Sequence, residues 1–175
     1  MTKKVLILDT SVLCCWLRVP GKDTAGPLDD QWTPERIDAL IEQEKQQSTF
    51  VLPLATLIET GNHIAQAADR RHECATALAR HLSATAEAQT PWAAFTDQSA
   101  LWEPDQLRVL AESWPGLAVG GTSIGDATIK DVAEHYAKAG FHVEILTGDA
   151  GLKAYEPAKP LPAPPRRRAS RRAQG

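Results

Sequence analysis

Val5-Leu6-Ile7-Leu8-Asp9-Thr10-Ser11 decides how the rest of the chain reads. Four consecutive apolar residues fit a strand buried on both faces, the pattern of a central strand in a parallel sheet. The run stops at a carboxylate followed by two hydroxyl residues. In open α/β sheets, ligands bind in the crevice beyond the carboxyl ends of the strands. Asp9 therefore stands where such a fold places its chemistry. Asp-Thr-Ser after a strand is also a good helix N-cap, and Asp9 taken alone reads as a cap.

Strand and helix alternate along the chain. Residues 3–9 read as the first strand and 11–18 as a short apolar helix. Residues 19–33 hold Pro20, Gly21, Gly26, Pro27 and the pair Asp29-Asp30, and so form a loop. Thr33 and Pro34 start a helix as N-cap and first helical residue, with Ile37, Leu40 and Ile41 as its apolar stripe, ending near Gln47. Residues 49–52 are a second strand, stopped by Pro53, and a helix from Leu54 carries Leu57, Ile58, Glu59 and Ile64. The Ala-rich run 65–88 reads as a long helix or a helical pair, ended by Pro91. Residues 92–95 suggest a short edge strand, 104–112 a helix, and Gly116, Gly120 and Gly121 a loop. Ser123 opens a helix that reaches Lys138 and is ended by Gly140. Residues 141–146 form another strand, followed by Thr147-Gly148-Asp149 and a short helix over 150–155. This alternation predicts an α/β fold, a parallel sheet with helices on both faces.

Composition narrows the class. A length of 175 residues with 43% hydrophobic and 23% charged content suits one globular domain. No apolar run approaches the ~20 residues of a membrane span. Lys3 and Lys4 precede an apolar run, but that run carries Asp9 and lacks a small-residue cleavage site, unlike a signal peptide. Cys14, Cys15 and Cys74 are odd in number and form no C-x-x-C pair, so they read as reduced, buried and unconnected with zinc. The expected location is the cytoplasm. The net charge of −3 is uneven: seven basic residues and one acid from Lys153 onward give +6, and the remaining 12 basic and 21 acidic residues give −9. The acidic body is a poor general nucleic-acid surface, whereas the tail can hold a phosphate backbone. The expected division is a globular domain over 1–155 and a Pro/Arg-rich, disordered basic tail over 156–175.

Four acids fall at one edge of the inferred sheet. Asp9 and Asp149 end strands, and Glu59 and Asp126 lie in helices that begin at that edge. Each has an ordinary explanation: Asp9 and Asp149 as caps, Ser123 with Asp126 as a capping box, Glu59 as a solvated helix residue. In a parallel sheet all four converge on one crevice. Clustered carboxylates repel, and protonation or a bound cation relieves the repulsion. Oxygen-only donor sets favour Mg²⁺ or Mn²⁺, ions that activate water and bridge phosphate oxygens. The chemistry implied is phosphodiester hydrolysis.

On Leu6-Ile7-Leu8-Asp9-Thr10-Ser11, Thr56-Leu57-Ile58-Glu59, Gly125-Asp126-Ala127-Thr128-Ile129 and Leu146-Thr147-Gly148-Asp149, in that order, the chain resembles the PIN-domain family, the fold of VapC-type toxin ribonucleases. The resemblance implies a three-layer α/β/α fold with a central parallel sheet and Mg²⁺- or Mn²⁺-dependent cleavage of RNA. It implies Asp9, Asp126 and Asp149 as the main metal ligands, with Glu59 binding directly or through water. Thr10, Ser11 and Thr147 would be hydroxyls that orient those carboxylates. It also implies an RNA substrate and an antitoxin partner, in a toxin, defence or RNA-processing role, and the apolar, Ala-rich middle segment offers a surface for a homodimer. The loop 19–33 and the segment 65–122 are longer than in compact members. Asp131 is a rival third ligand by its distance from Asp149. It stands five residues beyond Asp126, about 140° around the helix, so the two do not serve one ion.

Other residues carry less. His63 lies one turn beyond Glu59 on the same helix face and reads as surface or cap before ligand. His72, His81, His135 and His142 show no ligand spacing, and Arg70-Arg71 beside Glu73 reads as a solvated face. Lys130 follows the Asp126 turn toward the crevice mouth, and the five tryptophans read as core and interface rather than base-stacking platforms. Arg166, Arg167, Arg168, Arg171 and Arg172 are the candidate nucleic-acid contacts of the tail. Two other functions compete with a nuclease. One is a non-catalytic PIN-scaffold module that binds RNA or protein. The other is a haloacid-dehalogenase-type phosphatase using Asp9, which needs a second Asp where this chain has Ser11.

Overall fold

The computed structural model describes residues 3–160. The elements run β1 (Lys4–Leu8), α1 (Thr10–Trp16), α2 (Pro34–Glu44), β2 (Ser48–Val51), α3 (Leu54–Gln66), α4 (Arg71–Ala86), α5 (Pro104–Val119), α6 (Ile124–Lys138), β3 (His142–Leu146) and α7 (Ala150–Lys153). A 3₁₀ stretch, Phe95–Trp102, precedes α5.

The three strands are parallel, in the order β2-β1-β3, with Lys4 opposite both Ser48 and His142 and Leu8 opposite Leu146. β1 is thus central, as its unbroken apolar run requires, and Val5 to Leu8 are fully buried. Alternate residues serve opposite faces. Leu6 and Leu8 join Val12, Leu13, Ile37, Phe50 and Cys74 beneath α1, α2, α3 and α4. Val5 and Ile7 join Val51, Val143, Ile145 and the Ile129, Val132 and Ala133 side chains of α6. The chain is therefore α/β with helices covering both faces of a parallel sheet.

The amino ends of the strands are closed by charge. Lys4 Nζ lies 2.9 Å from Glu44 Oε1 and 3.2 Å from Glu144 Oε2. Burial pushes the Glu44 carboxyl up, but the Ser48 hydroxyl and the Lys4 ammonium outweigh it and hold the group below its usual range. That end is satisfied internally, whereas the carboxyl ends open into a cleft.

Three segments differ in detail from the sequence reading. The Ala-rich run is a helical pair, broken at Arg70, which takes a left-handed backbone (φ 52°) and pairs with Glu73 at 2.6 Å. Trp92 adds only an isolated parallel bridge to Phe50, because the chain turns at once into the 3₁₀ stretch. The third is a correction: Gly116 is no loop residue, and α5 continues through Pro115 to Val119. Proline costs a helix one donor and a clash a turn back, and here contacts with α6 and the bond from Trp114 Nε1 to Thr122 O (3.2 Å) hold the last turns. Among the described residues no helix is long and apolar enough to cross a membrane.

Candidate functional site

Each of the four acids is placed by the start of a different helix. Asp9 is the N-cap of α1, its Oδ2 accepting from Ser11 N (3.3 Å) and Ser11 Oγ (2.7 Å). Buried Thr56 donates to Leu8 O (2.8 Å), fixing α3 to the end of β1. Glu59 follows one turn later and accepts from Thr10 Oγ1 at 2.9 Å. Ser123 caps α6 by accepting from Asp126 N (3.0 Å), which sets Asp126 in the first turn. Asp149 caps α7, its Oδ1 accepting from Gly151 N (2.6 Å) and Leu152 N (3.1 Å). Thr147 ties two of the acids together: its hydroxyl donates to Asp9 Oδ2 (2.8 Å) and accepts from Asp149 N (2.9 Å).

All four acids line one cleft of about 700 Å³, together with Thr10, Ser11 and His63. The capping role and the cleft role coexist, because a carboxylate has two oxygens. In Asp9, Glu59 and Asp149 the bonds just given engage a single oxygen. None of the four forms an ion pair with a Lys or Arg among the described residues. Asp9 is only 5% exposed, and an anion removed from water without a countercharge is costly. The Asp126 carboxyl is pushed above the usual Asp range by burial and then by the charges of Asp9 and Asp149. Gly125 makes room for the group: a Cβ there would strike Glu59 Oε1.

These residues fit a hard divalent cation in kind: the four acids offer only oxygen, none is ion-paired with a Lys or Arg among the described residues, and hydroxyls hold one oxygen each of Asp9 and Glu59. As the side chains stand, no three His, Cys, Asp or Glu among the described residues enclose a point tightly enough to hold an ion. Enclosing one needs some of these side chains to move from the positions they hold here.

Asp131 is not brought to the cleft. It faces the other side of α6, in a hollow with Gln106, His135 and Lys138. Lys130 is also absent from the cleft, paired with Glu134 at 2.7 Å. His81 is packed between Trp16 and Trp92, and His142 lies at the amino end of β3. Ser11 Oγ donates to Asp9 and accepts from Gly148 N (2.9 Å). It thus steadies the site and offers no acid of the kind a haloacid-dehalogenase-type phosphatase needs. The arginines 166–168 and 171–172 lie outside the described residues. Glu156 is tied to the folded body, accepting from Ile145 N at 2.9 Å.

Sequence reasoning missed one wall of the cleft. Cys14, Lys22, Thr24, Ala25 and Gly26 line it as well. Burial pushes the Cys14 thiol up to about 11, so it is no nucleophile at neutral pH. The loop's Gly and Pro content signalled only irregularity, and Trp32, whose Nε1 donates to Thr147 O at 2.9 Å, was the one residue that could have flagged its docking. Compared with protein-family models, with curated proteins and with solved structures, the chain matches none of them.

Proposed function

We propose that the chain is a divalent-metal-dependent endoribonuclease of the PIN type, hydrolysing RNA phosphodiester bonds. One observation carries the reading: four carboxylates from four separate elements share a cleft at the carboxyl edge of a parallel sheet, and no basic side chain among the described residues pairs with them. Structural acids at helix starts need no such convergence.

Asp9, Glu59, Asp126 and Asp149 would hold the metal. A bound Mg²⁺ or Mn²⁺ supplies a water of lowered pKa and offsets phosphate charge. Asp9, held by Ser11 and Thr147, is the fixed point, since both hydroxyls donate to one of its oxygens. Thr10 turns Glu59 toward the cleft. A cation would also favour the charged form of Asp126, which burial and the charges of Asp9 and Asp149 oppose.

The test is cleavage of single-stranded RNA by the full chain with Mn²⁺, with EDTA, and in Glu59→Gln. That variant keeps an acceptor for the Thr10 hydroxyl and loses the charge. Expected are cuts with Mn²⁺, none with EDTA, and a rate lower by on the order of 100-fold in the variant. Failure to cut any single-stranded RNA where a control nuclease cuts, with no effect of Mn²⁺ on melting temperature, would instead favour a non-catalytic scaffold.

A further inference from the structure

The loop over residues 19–33 is long for a connection and contains no α-helix or strand, yet it is fixed along its length. Val19 is buried and its carbonyl accepts from Lys22 N at 2.9 Å. Cys15 Sγ donates to Asp23 O at 3.1 Å, which ties the loop to α1. Ala25 and Trp32 exchange backbone bonds of 3.2 and 2.7 Å, closing the tip like a small hairpin. Arg36 of α2 lies 4.1 Å over the Trp32 ring and pairs with Asp30 at 2.8 Å. The tip is pressed on the segment after β3: a Cβ on Gly148 would meet the backbone carbon of Ala25 at 2.8 Å. The loop is a strap, seated against the residue before Asp149.

That strap brings Lys22 and Thr24 to the rim of the acid cleft. Lys22 shares a cleft with four carboxylates and pairs with none within 4 Å; it forms no ion pair among the described residues. A flexible ammonium beside uncompensated acids would ordinarily fold onto one of them. Lys22 instead stands unpaired on the wall of the cleft, a single positive charge beside the four acids. A phosphodiester backbone is the ligand that such a division suits. It must approach carboxylates that repel it, and a positive charge on the cleft wall lowers that barrier.

We infer that residues 22–26 form an RNA-backbone subsite, in which the Lys22 ammonium and the Thr24 hydroxyl hold phosphate oxygens at the rim of the acid cleft. The inference rests on the nuclease reading and names how that site takes its substrate. Lys22 binds phosphate; it does not hold the metal.

The experiment measures binding of a fluorescent single-stranded RNA by the full chain across a salt series, with Ca²⁺ in place of Mn²⁺. The variants are Lys22→Ala and Lys22→Arg. Mn²⁺-induced shifts in melting temperature and steady-state cleavage with Mn²⁺ are measured in parallel. Lys22→Ala is expected to weaken RNA binding by roughly tenfold, the size of one charge-assisted contact. The slope of log affinity against log salt should shrink by about 0.7. KM should rise while kcat stays within about twofold, since only binding common to ground and transition states is lost. Lys22→Arg should keep affinity, and the Mn²⁺ shift should be the same in all three proteins. Wild-type protein that cuts RNA, with Lys22→Ala unchanged in affinity and salt slope, overturns the subsite alone. Wild-type protein that neither binds nor cuts RNA overturns the nuclease reading and the subsite together.

Discussion

Asp126 shows most clearly how one side chain trades stability for a site. Its folded pKa lies above the ordinary value because burial and the charges of Asp9 and Asp149 oppose ionisation. A carboxyl raised in this way contributes most to stability below its unfolded pKa, and the contribution is lost as pH rises through the folded value. Metal-free protein at neutral pH therefore carries an unfavourable charge. Asp126→Asn should melt higher at pH 7 without metal, by only on the order of 1 °C because the group is partly solvated. The difference should vanish below about pH 3.8, the ordinary Asp value. The same variant should lose cleavage by on the order of 100-fold or more, whereas Asp131→Asn, on the far side of α6, should cut RNA normally. Thermal melts with and without Mn²⁺, set beside cleavage rates, check both halves; an Asp131→Asn protein that is inactive but folded would reverse the assignment.

The two glycines at the site act through elements rather than through their own chemistry. Gly125 lets α3 and α6 approach, and the atom a Cβ would strike is the end of the Glu59 side chain, which can swing away. Gly125→Ala should thus leave stability within about 1 kcal/mol of wild type, since alanine favours helix, while displacing Glu59 and lowering cleavage. Gly148 is different, because a Cβ there meets the backbone of Ala25 and Gly26. Gly148→Ala should unseat the strap and cost about 1–3 kcal/mol in denaturant unfolding; an unchanged midpoint would mean the strap is loosely held. The sequence displayed the strands and the acids for the same reason it hid the strap. Periodicity and strand-end position are local signals, so β1, β3, Asp9 and Asp149 could be placed from a few neighbours each. The strap's position depends on Trp32 reaching Thr147, which is 115 residues away. Helix α5 went unrecognised beyond residue 112 for another reason: Pro115 and Gly116 carry breaker signals that its packing on α6 overrides.

Charge is divided across the whole molecule as it is across the cleft. The body up to residue 152 carries −9 and the remainder +6, so RNA meets repulsion from most of the surface. Arg166, Arg167, Arg168, Arg171 and Arg172 hold most of the positive charge of the C-terminal part. If that segment captures RNA for the cleft, its contribution is electrostatic and separable from the metal site. The cut must follow Pro160, because Glu156 is bonded to Ile145 and its loss would disturb β3. Protein ending at Pro160 is expected to bind single-stranded RNA more weakly at low salt. Its salt slope should fall by up to about 0.7 for each lost phosphate contact. Its Mn²⁺-induced gain in melting temperature should equal that of the full chain, since all four acids and the hydroxyls that hold them remain. Capture also predicts an unequal kinetic effect: kcat/KM falls with truncation at low salt and converges on the full chain at high salt, where screening shortens the reach of the arginines. Equal affinity of both proteins at low salt would remove the segment from substrate binding and leave Lys22 as the cationic side chain at the cleft.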